Sequence, residues 1–289
     1  MKITILGCGT PTPLPEAYGS SWVVEAAGQK LLFDCGPATT HKLVKAGISP
    51  VEIDHLFFTH HHFDHDSDFP AFVLTRWDQN VPRDRVLNVY GPPFTREFVE
   101  GVIDEKRGLF RKDWIARVKH PASRVTYADR GGVLPRAKPM VKVREIAPGD
   151  AVEGDGWRVL AAHAEHVQPY LDSVAYRVEA EGRSAVLTGD TRPCDSITEL
   201  ARGADVLMMM CWESAELMER TGHEFSSASV KTVTETAKAA GVKQLVMVHV
   251  GARLRRPDMI ERRQAEADAV GFEGPIIWGE ELMEVPLPE

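Results

Sequence analysis

Between Thr59 and His65 the chain reads THHHFDH: three consecutive histidines, then an aspartate and a fourth histidine. Neutral imidazoles and a carboxylate at this density make a donor set for a divalent cation such as zinc, manganese or iron. The apolar run His55–Thr59 just before it reads as a strand, so His60 opens the loop at that strand's C-terminal end. Alternate residues of an extended chain share a face, so His60 and His62 can aim at one point while His61 turns away. Asp64 and His65 follow where the chain must turn toward a helix, and can aim at a neighbouring point.

Further ligands should come from distant segments. Three positions repeat the pattern of an apolar strand followed by a ligand type. They are His166 past Trp157–Ala162, Asp190 in VLTGDTRP, and His249 at the end of LVMVH. His163 competes with His166 for the third-segment position. His41, His55 and His120 lack this context and read as surface or core histidines.

The elements that must hold these residues alternate along the chain. Strands are expected at Ile3–Leu6, Trp22–Ala26, Leu31–Phe33 and His55–Thr59, and again at Trp157–Ala162, Val174–Val178, Ser184–Thr188, Val206–Met210 and Leu245–Val248. Helices are expected at Thr39–Ala46, stopped by Gly47, at Phe94–Ile103, at Ser227–Ala240, and at Pro257–Val270 with proline in its first position. This order predicts an α/β fold of mixed sheets covered by helices, in one domain over residues 1–289. Residues 105–138 fit the alternation poorly. They combine Arg, Lys, Gly and Pro with Phe110, Trp114 and Tyr127, and read as an insertion or lid.

The composition, 43% hydrophobic and 26% charged, is that of an ordinary globular protein. No apolar run approaches the roughly 20 residues that span a bilayer, and the opening MKITILGCGTPTP reads as a strand, not a signal peptide. Cys8, Cys35, Cys194 and Cys211 form no CxxC pair, which fits a reducing cytoplasm. A formal charge of −8 gives no general reason to expect nucleic-acid binding. Residues 104–145 run against it, with twelve Lys/Arg and five Asp/Glu. That stretch is either a solvated insertion or a surface meeting an anionic substrate or a partner subunit.

THHHFDH resembles the THxHxDH signature of the metallo-β-lactamase superfamily, and His166, TGD at Asp190 and the strand-end His249 follow in the family's order. ILGCGTPTP, LLFDCGPATTHKL, VYGPP, TGDTRPC and GHEFSSASV are similar to the ribonuclease Z and arylsulfatase-like branch. The resemblance implies a four-layer αββα sandwich, with the 105–138 insertion before the third metal-ligand segment. It implies two Zn²⁺, with Mn²⁺ or Fe²⁺ as substitutes. His60, His62 and His166 would hold one ion, Asp64, His65 and His249 the other, and Asp190 would bridge them. A homodimer is also implied.

Two ions sharing a water lower its pKa toward neutrality, so the expected chemistry is hydrolysis by a metal-bridging hydroxide. Asp64 would orient that water or take its proton, and His223, from GHEFSSASV, would protonate the leaving group. Trp212 and Tyr170 are candidate pocket walls. The branch's ribonuclease Z members carry a tRNA-gripping arm between the third-segment histidine and the bridging aspartate. Here His166 and Asp190 are only 24 residues apart. The expected substrate is therefore a small-molecule ester, anionic or neutral: a phosphodiester, sulfate ester or lactone. Ribonuclease Z-like tRNA 3′ processing is the alternative, with nucleic acid an unlikely partner. A non-hydrolytic lyase or redox relative stands behind both.

Overall fold

The computed structural model describes residues 1–81 and 85–288. Its first half runs β1 (Lys2–Gly7), β2 (Ser21–Ala26), β3 (Gln29–Phe33), α1 (Thr39–Lys45), β4 (Ile53–Phe57), α2 (Phe63–Asp66), α3 (Phe69–Gln79), β5 (Leu87–Gly91), α4 (Thr95–Ile103), α5 (Arg111–Lys119), α6 (Pro121–Asp129) and β6 (Val141–Glu145). The second half runs β7 (Ala151–Gly154), β8 (Trp157–His163), β9 (Val174–Ala180), β10 (Arg183–Leu187), α7 (Asp195–Ala201), β11 (Val206–Met210), α8 (Ala215–Thr221), α9 (Val230–Ala240), β12 (Gln244–Val248), α10 (Ile260–Asp268), β13 (Ile276–Trp278) and β14 (Glu284–Val285). No helix among the described residues is long and apolar enough to cross a membrane.

Among the described residues the strands form two seven-stranded sheets, β14-β1-β2-β3-β4-β5-β6 and β13-β12-β11-β10-β9-β8-β7. Both are mixed: β3 to β6 and β10 to β13 are parallel, and their neighbours are antiparallel. The layering follows from side-chain alternation along strands buried on both faces. Ile3 and Ile5 of β1, Trp22 and Val24 of β2, and Leu31 and Phe33 of β3 enter the core between the sheets. The second sheet supplies the same core with Ala185 and Leu187, Val206 and Met208, and Val246 and Val248. The intervening residues face outward onto helices. Val23, Leu32 and Leu56 pack with Leu43, Phe72 and Val99 from the helical side. Val186, Leu207 and Met247 pack with Ile197, Val233 and Ala237. Three apolar layers thus separate four layers of structure, the αββα sandwich expected.

Departures from the expected boundaries have local causes. β4 ends at Phe57, not Thr59, because the Thr59 N–H leaves the ladder for the Asp34 carboxylate (2.7 Å). α9 begins at Val230, not Ser227: the Ser229 hydroxyl accepts the Thr232 N–H at 3.1 Å and caps the helix there. Residues 105–138 contain α5 and α6, with Trp114 and Tyr127 buried under them. They are tied to the end of α3, where Asp78 accepts from Arg117, Arg130 and Arg136. The Arg136 guanidinium also stacks 3.9 Å over the Trp77 ring.

Candidate metal centre

The candidate donors gather at the C-terminal ends of β4, β8, β10 and β12, along one edge of the sandwich. His60 and His62 leave β4 in extended chain, and α2 then turns Asp64 and His65 inward. The turn is held by the His65 N–H bond to the His62 carbonyl (2.9 Å) and the Cys35 N–H bond to the His65 carbonyl (2.6 Å). Gly36 lies against the Asp64 carbonyl, where a β-carbon would collide with that oxygen. From the second sheet, Asp190 follows Gly189, whose close approach to Thr59 excludes a side chain and whose φ of 57° disfavours one. His249 itself adopts φ 49° at the end of β12, a strained backbone of the kind found at functional sites.

His60, His62, His166 and Asp190 form one group and Asp64, His65 and His249 another, each with its donor atoms within 4.8 Å of one another. In the first, His62 Nδ1 lies 3.1 Å from His60 Nε2 and 3.3 Å from His166 Nε2. In the second, His249 Nε2 lies 3.1 Å from Asp64 Oδ2. Asp190 reaches both: its carboxylate is 3.3 Å from His65 Nε2, 3.3 Å from His249 Nε2 and 3.8 Å from His166 Nε2. His166, not the exposed His163, joins the cluster. Its Nδ1 donates to the Ser226 carbonyl (2.7 Å), which leaves Nε2 for the centre.

The donors fit cations better than they fit each other. Asp64 Oδ1 is buried without a hydrogen-bond partner, Asp190 Oδ1 and His65 Nε2 lie 3.3 Å apart but are poorly aligned for a bond, and five imidazoles with two carboxylates suit a pair of divalent ions. Burial, with His65 nearby, holds His60 well below the ordinary histidine range and therefore neutral, as a ligand must be. Burial also lowers His62, with His166 adding to it. Burial disfavours the Asp190 carboxylate, but His249 and His65 outweigh it and hold the group well below its usual range. The centre is a dinuclear metal site.

Sequence reasoning missed the residue that orients this cluster. Asp34, fully buried with φ 56°, accepts from Thr59 N (2.7 Å), Thr59 Oγ1 (2.8 Å) and His65 Nδ1 (2.7 Å). The bond to His65 Nδ1 turns its Nε2 toward the centre. Because the Thr59 hydroxyl donates to Asp34, it can accept from His60 Nδ1 at 3.1 Å and orient that ring too. The signal was present in LLFD, another apolar strand ending in a donor.

Other predicted residues lie outside the cluster. His61 turns away, between Asp66 (3.2 Å) and Thr95 (2.8 Å) and against Phe58 and Phe98. His223 is exposed at the rim, with its ring 5.9 Å from Trp212, whose own ring is 6.0 Å from His249. Tyr170 is 92% exposed. Trp114 and Tyr127 are buried inside the insertion.

The family model of the metallo-beta-lactamase superfamily matches residues 14–225. Ribonuclease Z of Mycobacterium bovis (strain BCG / Pasteur 1173P2) is 32% identical over 291 residues, covering 99% of this chain and 98% of the relative. Among solved structures, the metallo-beta-lactamase fold protein YhfI from Bacillus subtilis matches with a TM-score of 0.73 at 19% identity, covering 98% of both chains. Human tRNase Z, short form, matches with a TM-score of 0.70 at 21% identity over the whole of both chains. These two structures share the fold.

The mycobacterial relative overturns the expectation of a small-molecule ester as substrate and of nucleic acid as an unlikely partner. That expectation rested on the missing arm between His166 and Asp190. Only a short loop and the β9–β10 hairpin occupy that interval. Yet the relative aligns end to end with this chain and has no room for a long arm that this chain lacks. The chain belongs to the metallo-beta-lactamase superfamily and is a metal-dependent hydrolase.

Proposed function

We propose that the protein is a ribonuclease Z-like endonuclease that cuts precursor tRNA at its 3′ end. The observation that carries this reading is the end-to-end likeness to Ribonuclease Z of Mycobacterium bovis. The clustered donors support it, since two-metal sites recur in phosphodiester cleavage.

In this reading the ions are zinc. His60, His62 and His166 would hold one, Asp64, His65 and His249 the other, with Asp190 within reach of both. When bound, they supply an activated water and Lewis acidity at the phosphate. The chain's own residues do the rest. Asp64, with Oδ1 left unpartnered, receives the proton of the attacking water. His223 protonates the leaving oxygen. Its Nδ1 lies 2.8 Å from Thr221 Oγ1, whose hydroxyl is donated to the Leu217 carbonyl (2.7 Å). The hydroxyl therefore accepts from Nδ1, so the proton given to the leaving oxygen is the Nε2 proton of the imidazolium form, and the neutral ring left behind keeps its Nδ1–H. The four unpaired cysteines fit a cytoplasmic enzyme, and the reading includes the homodimer that the family resemblance implies.

The test is cleavage of a 3′-extended precursor tRNA by the zinc-loaded protein, with His62→Ala as control. Expected is one cut at the 3′ side of the acceptor stem, lost in the variant and weakened steeply by salt. An intact precursor after incubation with protein holding two equivalents of zinc overturns the reading.

A further inference from the structure

We propose that a groove beside Asp64 seats the unpaired nucleobase flanking the scissile phosphate, an inference that rests on the tRNA-processing reading above. The groove has a volume of about 510 Å³, within the range of about 300–1,000 Å³ typical of ligand pockets. Its walls are Pro13, Leu14, Tyr18, Pro37, Phe63 and the metal-centre residue Asp64. It meets the centre at Asp64 alone among the seven donors, and it is mostly apolar.

Phe63 is the unusual wall. It lies in sequence between His62 and Asp64, yet the residue is 61% exposed. Core packing does not account for a large apolar side chain held in water between two candidate ligands. Tyr18 faces the same groove, 41% exposed, with the Lys42 ammonium 4.2 Å from its ring centroid. Lys42 is buried and paired with Glu281, so the tyrosine ring is braced from beneath.

A nucleotide offers three parts: phosphate, ribose and base. The clustered donors account for the phosphate. Only the base is a flat apolar surface that fits between aromatic rings and prolines. Such stacking tolerates any base, as a processing enzyme with many tRNA substrates requires.

The test compares the zinc-loaded wild type with Phe63→Ala and Phe63→Trp on three precursor tRNAs. One is intact, and the others are abasic at the nucleotide 5′ or 3′ of the cleavage site. Expected is a loss of roughly tenfold in kcat/KM for one abasic precursor with wild type, the size of one lost base stack. Phe63→Ala should lose a similar factor on intact precursor, lose no more on that abasic one, and be restored by Phe63→Trp. The abasic comparison leaves the protein untouched, so it stands even where Phe63→Ala loses zinc. Wild type cutting all three precursors equally overturns the groove assignment and leaves the tRNA reading standing. Losses from Phe63→Ala and the missing base that multiply also overturn the assignment. Wild type that leaves the intact precursor uncut overturns the tRNA reading, and the groove assignment with it.

Discussion

Replacing Asp34 by asparagine keeps size and shape but turns one of two acceptors into a donor. Oδ1 faces the Thr59 N–H at 2.7 Å, while Oδ2 receives the Thr59 hydroxyl at 2.8 Å and His65 Nδ1 at 2.7 Å. With the new NH₂ at the first position, two buried donors meet head-on, at a cost of about 1–3 kcal/mol of folding free energy. With NH₂ at the second, His65 must present a bare Nδ1 and move its proton to Nε2, the atom aimed at the centre. The Thr59 hydroxyl must then accept from the amide and donate to His60, which reverses that ring as well. Orienting partners of this kind are worth about 10- to 100-fold in metal affinity, about 1.4–2.7 kcal/mol. Metal content during chelator titration, together with the melting temperature of the metal-free protein, reads both costs. Asp34→Asn should release metal at no more than about a tenth of the wild-type chelator concentration, or melt several degrees lower when metal-free. A variant matching wild type in both measurements refutes the orienting role of Asp34.

Other outcomes follow from the same geometry. His223→Ala should lower turnover about 10²- to 10⁴-fold, the usual share of an acid or base, while zinc content by mass spectrometry stays unchanged. Zinc removal should lower the melting temperature by roughly 10 °C, since ligand at a thousandfold excess over Kd contributes about 4 kcal/mol and each kcal/mol shifts a chain of this size by about 2–4 °C. Asp78→Asn leaves the buried Arg136 guanidinium without its part-buried carboxylate, a loss of about 1–3 kcal/mol. It should raise hydrogen exchange across α5 and α6 without changing metal content. Partial burial works against the Asp78 carboxylate, but bonds from Arg136 and Arg130 prevail and hold it below the ordinary range. Its stabilisation is therefore full above about pH 4 and lost as pH falls through the lower folded value. Exchange in α5 and α6 should rise over that window in wild type and not in Asp78→Asn.

The central strands of the second sheet were legible because they are buried on both faces and read as unbroken apolar runs, whereas the inner strand β5, LNVYG, is only half-buried and was missed. VLMMM of β11 and QLVMV of β12 cannot be mistaken for exposed chain. A polar residue ending such a run is conspicuous, which is why Asp190 and His249 drew attention. The edges were not legible. VKVRE of β6 is half solvated and charged, and β13 and β14 are three and two residues long. α5 and α6 each bury a single aromatic, too little for a helical periodicity. Asp34 hid for a different reason: a lone carboxylate after a strand looks like a turn residue until a histidine 31 positions later folds against it. Phe63 hid because a position between two ligands invites no question until its ring is found in solvent.

The donors divide between the two sheets: His60 to His65 come from the first, and His166, Asp190 and His249 from the second. A ribosome making this chain releases the first four long before the last. The first group of donors is complete once Asp190 has left the exit tunnel, but the second lacks a member until residue 249 follows. Assembly of the second group is thus timed by translation, and a chain truncated just before His249 would keep only the first group of donors complete.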